Sequence, residues 1–175
     1  MHTIRPARQQ DLDTLLALRR EAEAWLADRG IRQWTRDMSA LIKERLHDGR
    51  TWLLEDVGGP FATITLSGPD MDFWRAEDEP ENAIYVYKLI VARSHSGRGY
   101  GDLLLDWASD RAARAGLAWV RLDCDRSNTA LHDYYLARGF EHVRTVELPH
   151  RQSGALFQRP SVRLPRPIMI EATSR

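Results

Sequence analysis

Between Asp11 and Arg29, Leu12, Leu15, Leu16, Arg19, Ala22 and Leu26 recur at helical spacing and trace one face; Gly30 then stops the run. That period predicts an amphipathic helix, preceded by a short strand at His2–Pro6 and followed by a second helix over Arg36–His47. Thr51–Val57 and Phe61–Leu66 are rich in β-branched and aromatic residues around Gly58-Gly59-Pro60 and predict a hairpin. Ala83–Ala92 reads as a strand, and Gly101–Ala115 as a helix with Leu104, Trp107, Ala108, Arg111, Ala112 and Ala115 on one stripe. A strand over Leu117–Cys124, a helix over Thr129–Arg138 stopped by Gly139, and a strand over Phe140–Leu148 follow. Pro149, Pro160, Pro165 and Pro167 break an extended loop at about 149–167 before a last strand over Ile168–Glu171. The order predicts a mixed α/β fold, with hairpin strands first and a right-handed strand–helix–strand unit in the middle.

The 175 residues suit one domain spanning 1–175, and 43% hydrophobic with 29% charged residues is globular composition. Twenty-five basic side chains balance twenty-five acidic ones, so the footprint of a nucleic-acid binder is missing. Cys124 is the only cysteine, and no Cys/His cluster offers a metal site, so no metal is expected. No apolar leader and no run of 18 apolar residues occurs, which points away from membranes and to a cytoplasmic protein. Arginine outnumbers lysine 23 to 2, the bias of a GC-rich bacterial genome. Charge is unevenly placed. Asp70, Asp72, Glu77, Asp78, Glu79 and Glu81 face only Arg75, a local balance of minus five, and six arginines between Arg144 and Arg175 face Glu147 and Glu171, a balance of plus four. The first segment suits a cation and the second an anionic ligand, or both are solvated surfaces.

Ser96-Gly97-Arg98-Gly99-Tyr100-Gly101 joins a strand to a helix start, where unpaired backbone N–H groups and the helix dipole favour an anion. Glycines permit positive φ and close approach of a phosphate, and Arg98 adds charge. The absence of a Gly-Lys-Ser/Thr ending excludes a P-loop triphosphatase. A Rossmann-type dinucleotide oxidoreductase is the rival, with Asp123 at the distance of a ribose-binding acid, but about 90 residues precede the loop and the third glycine is out of place.

The loop resembles that of the GNAT superfamily of acetyl-CoA-dependent N-acetyltransferases, whose pattern is Gln/Arg-x-x-Gly-x-Gly/Ala; Gly99 and Gly101 match, while Ser96 stands where Gln or Arg is preferred. Asn128, Tyr135 and Gly139-Phe140 repeat a second spacing of the family, and element order is similar from residue 1 to about 148. The resemblance implies a single domain with a central, mostly antiparallel six- or seven-stranded sheet, splayed between its fourth and fifth strands and flanked by about four helices. It further implies that acetyl-CoA lies along Leu89, Ile90 and Val91, with its diphosphate on Ser96, Gly97, Arg98, Gly99, Tyr100, Gly101 and Asp102 and its arm at Asn128. An extended pantetheine would pair with the strand as β-augmentation does.

Direct attack of an amine on the thioester carbonyl demands orientation, oxyanion stabilisation and proton management. By the resemblance, a backbone N–H near Leu89 or Ile90 meets the second demand and Tyr135 is the general acid. A phenol with pKa about 10 keeps its proton at neutral pH. An amine of pKa about 10.4 is neutral in roughly one molecule in 2,500 at pH 7, so a base is expected. Tyr85 stands where some family members carry a base glutamate; Glu81, Asp123 and Asp125 are the candidates that replace it. Cys124 has no paired histidine, and His132 and His142 carry no motif. Trp34, Trp74, Tyr85 and Asp123 are candidate acceptor-binding residues; Trp34 is a pocket wall or a stacking face for a cation, or core between the first helices, and Phe73-Trp74 suits an amphipathic amine or a lid packed on the body. The expected acceptor is a small-molecule amine, with a peptide or protein amine as the broader class and a homodimer among the assemblies considered. The reading from another class is a non-catalytic acyl-CoA sensor, which would bind the cofactor without turnover.

Overall fold

A computed structural model describes residues 2–31, 39–166 and 168. The order is β1 (Thr3–Pro6), α1 (Leu12–Ala27), α2 (Ser39–His47), β2 (Thr51–Asp56), β3 (Gly59–Ser67), β4 (Ala83–Val91), α3 (Tyr100–Arg114), β5 (Trp119–Asp125), α4 (Thr129–Leu136), β6 (Glu141–Thr145) and β7 (Ser153–Pro160). The strands hydrogen-bond in the order β1-β2-β3-β4-β5-β7-β6. β1–β2, β2–β3, β5–β7 and β6–β7 are antiparallel, and β4–β5 is parallel.

The β4–β5 ladder runs only from Ala83↔Trp119 to Val86↔Leu122, although β4 continues to Val91 and β5 to Asp125. The expected splay between the fourth and fifth strands is present. Two residues past the last pair, Lys88 has φ 48, a left-handed conformation in mid-strand. Such a residue bulges the strand and re-aims the amides that follow it, here those of Leu89 and Ile90.

The chain divides into two compact units. The described residues of 1–65, 88–104 and 166–175 form the first. Its core gathers Ala7, Leu15, Leu18, Leu46, Leu53 and Ile90, with Leu12, Ala22 and Ile42 packed against them. The helical period of α1 is what turns Leu12, Leu15, Ala22 and Leu26 inward together. Asp11 precedes this helix and accepts from the two terminal guanidinium nitrogens of Arg5 (2.8 and 3.0 Å) and from the Arg8 amide (2.7 Å), so its buried charge is matched.

The second unit comprises residues 66–87 and 105–165. Phe73, Trp74, Ala83, Tyr85 and Leu156 form its core, flanked by Tyr87, Trp119, Val143, Val146 and Leu148. Within it α3 is buried on more than the expected stripe. Leu105, Ser109 and Asp110 are buried, and Ala115 is exposed. The cause is the chain after β7: Val162 N donates to Ser109 Oγ and Leu164 N to Asp110 Oδ1, both at 2.8 Å.

The extended loop expected over 149–167 is corrected, because eight of its residues form β7 between β5 and β6. Prolines bracket that strand instead of breaking it: Pro149 lies before it and Pro160 is its last residue, where the missing N–H costs little. Of the last strand expected at Ile168–Glu171, Ile168 is in no strand and the remainder lies outside the described residues. Gly154 in β7 has φ 140, and a Cβ there would lie 2.1 Å from the Val146 carbonyl oxygen, a neighbour fixed by the Val146 N to Gly154 O bond of 2.8 Å. Gly154→Ala is therefore expected to destabilise the protein by at least about 2 kcal/mol, read as a lower urea midpoint with unchanged slope. An unchanged midpoint would show that the β6–β7 pair yields at no cost.

Candidate active site

The glycine loop sits in the first unit. A 3-10 turn over Arg93–His95 leads into it, and α3 begins at Tyr100. The first helical hydrogen bond runs from Leu103 N to Gly99 O at 3.0 Å, so the N–H groups of Tyr100 and Gly101 have no acceptor within the helix. Gly97 and Gly99 hold φ 73 and 79, and a Cβ on either would meet nothing within 4 Å. Glycine is required there by backbone conformation, since the space beside both positions is open. Arg98 is exposed between them and Asp102 is half-buried in the first turn. Ser96 turns its hydroxyl inward, donating to Arg93 O at 3.0 Å. Leu89, Ile90 and Val91 are the last residues of β4, past the end of the β5 ladder. Donors at a helix start, with two left-handed glycines and free space, fit a diphosphate, and the end of β4 fits an extended amide-bearing arm.

Tyr135, Asn128 and Asp123 belong to the second unit. Tyr135 on α4 is 7% exposed, and its ring packs against Phe140, Phe157 and Tyr134 at centroid distances of 5.5, 5.9 and 5.4 Å. Its hydroxyl hydrogen-bonds none of the described residues. Burial first, then Cys124, Tyr134 and Asp123, pushes its pKa well above the ordinary phenol value, so it holds its proton throughout the neutral range. Asn128, also 7% exposed, caps α4 by accepting the Leu131 N–H at 3.1 Å. That bond uses the amide oxygen and leaves the NH2 group as a donor.

Asp123 lies half-buried on β5 opposite Leu156. Asp125 is occupied, since one carboxylate oxygen accepts the Ser127 amide (2.8 Å) and hydroxyl (2.6 Å). Glu81 is exposed in a 3-10 turn. Burial pushes the Cys124 thiol up to about 12, which removes the thiolate a nucleophile needs. His132 Nε2 donates to the Asp125 carbonyl at 2.8 Å, and His142 pairs with Thr145 at 3.0 Å, so both have structural partners.

Two expected acceptor residues are corrected. Trp74 and Tyr85 are each only 1% exposed and pack edge to face at 5.5 Å. The Tyr85 hydroxyl donates to Pro80 O at 2.9 Å and accepts from Arg121 at 3.2 Å. A ring and a hydroxyl so engaged hold the core and offer no surface to an acceptor. Trp34 lies outside the described residues.

The residues missed in the sequence are Arg121, Arg144 and Arg151. Arg121 is 3% exposed on β5, stacks over Trp74 at 4.7 Å, and donates to the carbonyls of Asp78 (2.6 Å) and Glu79 (3.4 Å). Arg144 forms a two-pronged pair with the Asp78 carboxylate and reaches Phe73 O at 2.9 Å. Arg151 meets Asp70 at 2.8 Å and Asp72 at 3.6 Å. The acidic and basic segments, read as sites for a cation and an anion or as solvated surfaces, are joined by Arg144 to Asp78 and by Arg151 to Asp70 and Asp72. Residues far apart in sequence carry no local signal of such pairing; an arginine inside the apolar run of β5 was the one clue.

Residues 16–140 match the model of the Acetyltransferase (GNAT) family, well over half of the chain. The chain is 30% identical over 150 residues to the uncharacterized N-acetyltransferase YesJ of Bacillus subtilis (strain 168), covering 79% of this chain and 81% of that protein. A GNAT acetyltransferase from Listeria monocytogenes superposes with TM-score 0.73 at 23% identity, covering 91% of this chain and 94% of that one. The PaiA N-acetyltransferase of Thermoplasma acidophilum, solved with coenzyme A, gives TM-score 0.70 at 17% identity, covering 91% and 99%. The chain belongs to the GNAT family and is an N-acetyltransferase.

Arg144 holds the Asp78 carboxyl down at about 2, chiefly by hydrogen bonding. With the folded pKa below an unfolded value of about 3.9, this stabilisation is full above pH 4 and is lost as pH falls toward 2. Asp78→Asn is expected to cost about 2 kcal/mol in urea unfolding at pH 7, with the gap to the parent shrinking by pH 2.5. The same gap at both pH values would refute the pairing.

Proposed function

We propose that residues 1–175 act as one domain that transfers the acetyl group of acetyl-CoA to a primary amine by direct attack in a ternary complex, and that the acceptor is a small molecule. Acetyl-CoA supplies the activated acyl thioester; the chain supplies grip, alignment and a proton. The amides of residues 96–102 and Arg98 hold the diphosphate, the backbone of Leu89, Ile90 and Val91 aligns the pantetheine arm, and the Asn128 NH2 donates to it. A β4 amide beyond the Lys88 bulge, at Leu89 or Ile90, donates to the carbonyl oxygen as negative charge grows there. Tyr135 Oη holds a proton ready for the departing sulfur.

The observation that carries this reading is the Tyr135 hydroxyl, protonated at neutral pH and hydrogen-bonded by no described residue. A small acceptor is favoured because Asp70, Asp72 and Asp78, the carboxylates that would dock a basic peptide, are engaged by Arg151 and Arg144.

Tyr135→Phe should lower kcat by about 10²-fold, the lower end for a lost acid, with the acetyl-CoA Kd nearly unchanged; equal turnover in both proteins would remove Tyr135 from this role. Thiol release from acetyl-CoA over a panel of small amines and basic peptides identifies the acceptor class, and turnover confined to peptides would sink the small-molecule reading. Gly99→Val forces a β-branched residue into positive φ and should weaken acetyl-CoA binding at least about tenfold in calorimetry; full affinity would count against the loop assignment.

A further inference from the structure

Both ends of the glycine loop rest on one buried ring. Phe61 on β3 is 4% exposed, and the His95 imidazole, last residue of the turn before the loop, stacks flat on it at 4.1 Å with an interplanar angle of 11°. Tyr100, the first residue of α3, leans on the same ring at 4.7 Å. His2, almost at the start of the chain, lies edge-on to Phe61 at 5.8 Å and to Tyr100 at 5.0 Å, and its Nε2 hydrogen-bonds the Tyr100 hydroxyl at 2.9 Å. His95 is fixed from its other side: Nδ1 bonds Ser94 Oγ at 2.9 Å, and Nε2 approaches Asp56 at 3.6 Å. The four residues between these anchors, Ser96 to Gly99, contain two left-handed glycines with empty space beside them.

Left-handed glycines give the loop its shape and also its freedom. An anion cradle of converging N–H groups binds tightly only when that shape exists before the ligand arrives, because ordering a glycine-rich segment on binding subtracts from affinity. The His95 and Tyr100 side chains are clamped at the two points where the loop departs from and rejoins regular structure. We infer that His2, Phe61, His95 and Tyr100 are a positioning cluster that presets the loop for the coenzyme A diphosphate, with His2 acting solely through Tyr100 and Phe61. None of the four side chains needs to touch the ligand. The inference rests on the assignment of the diphosphate to this loop.

Acetyl-CoA compared with S-acetylpantetheine, which carries the same thioester and arm but no diphosphate, tests it. In the parent, acetyl-CoA should have by far the lower KM; equal KM values would overturn the loop assignment itself. His2→Ala and Tyr100→Phe, the latter removing a single hydroxyl, should each raise the acetyl-CoA KM about threefold to tenfold, the range of one lost hydrogen bond. The double variant should lose no more than His2→Ala alone, because the hydroxyl removed in Tyr100→Phe serves the hydrogen bond that His2→Ala already breaks. The KM for S-acetylpantetheine should stay at the parent's value in all three. Phe61→Leu, which keeps the core filled but removes the stacking face, should show the same split. An acetyl-CoA KM equal to the parent's in His2→Ala and Tyr100→Phe overturns the cluster's role, and so does an equal rise for both donors, which marks a general structural loss.

Discussion

Backbone donors that the fold cannot satisfy internally organise this protein's chemistry. An α-helix leaves its opening amides without partners, and a strand that outlasts its neighbour's ladder leaves an unpaired edge. The chain produces one of each within a few residues: β4 runs on past its last pairing with β5, and α3 opens on Tyr100 and Gly101 directly after two left-handed glycines. Water can satisfy such groups; in the proposed reading a ligand with a diphosphate at one end and an amide-bearing arm takes its place. In that reading the cradle is built mainly from backbone, so Ser96 in place of a longer polar residue leaves it intact.

Arginine does the electrostatic work in the second unit. Arg121, Arg144 and Arg151 carry planar forks that reach carbonyls and carboxylates together and stack on aromatic faces, as Arg121 does on Trp74 and Arg151 on Phe73. Lysine, with one point charge, could not serve several acceptors in this way. The outcome is an acidic segment clasped to its own body. Burial raises the pKa of the Tyr135 hydroxyl on α4 and of the Cys124 thiol on β5, so both stay protonated near neutral pH.

Several misreadings share one physical origin. Asp110 and Ser109 look like the solvent side of α3, yet both are buried because they accept amides from residues 162 and 164. β7 was hidden for the same reason. Ala155, Leu156 and Phe157 form a short apolar run among prolines, and only pairing with β5 on one side and β6 on the other makes Ser153–Pro160 a central strand. Trp74 and Tyr85 looked like ligands for an acceptor because aromatic and polar groups near a site have that appearance in one dimension; their neighbours in space make them core.

The sequence by itself determined the periodic elements, the hairpin, the strand–loop–helix with its glycines, and the spacing of Asn128, Tyr135 and Gly139-Phe140. Each is a local property: hydrophobic period, cap and turn chemistry act over three to seven residues and are written in consecutive letters. The tertiary structure alone decided which charges cancel, where β4 loses its partner, how His2 comes to brace Tyr100 ninety-eight positions away, and which hydroxyl stays unclaimed. Those outcomes depend on distances between residues remote along the chain, and burial and pairing fix them only once the sheet has formed.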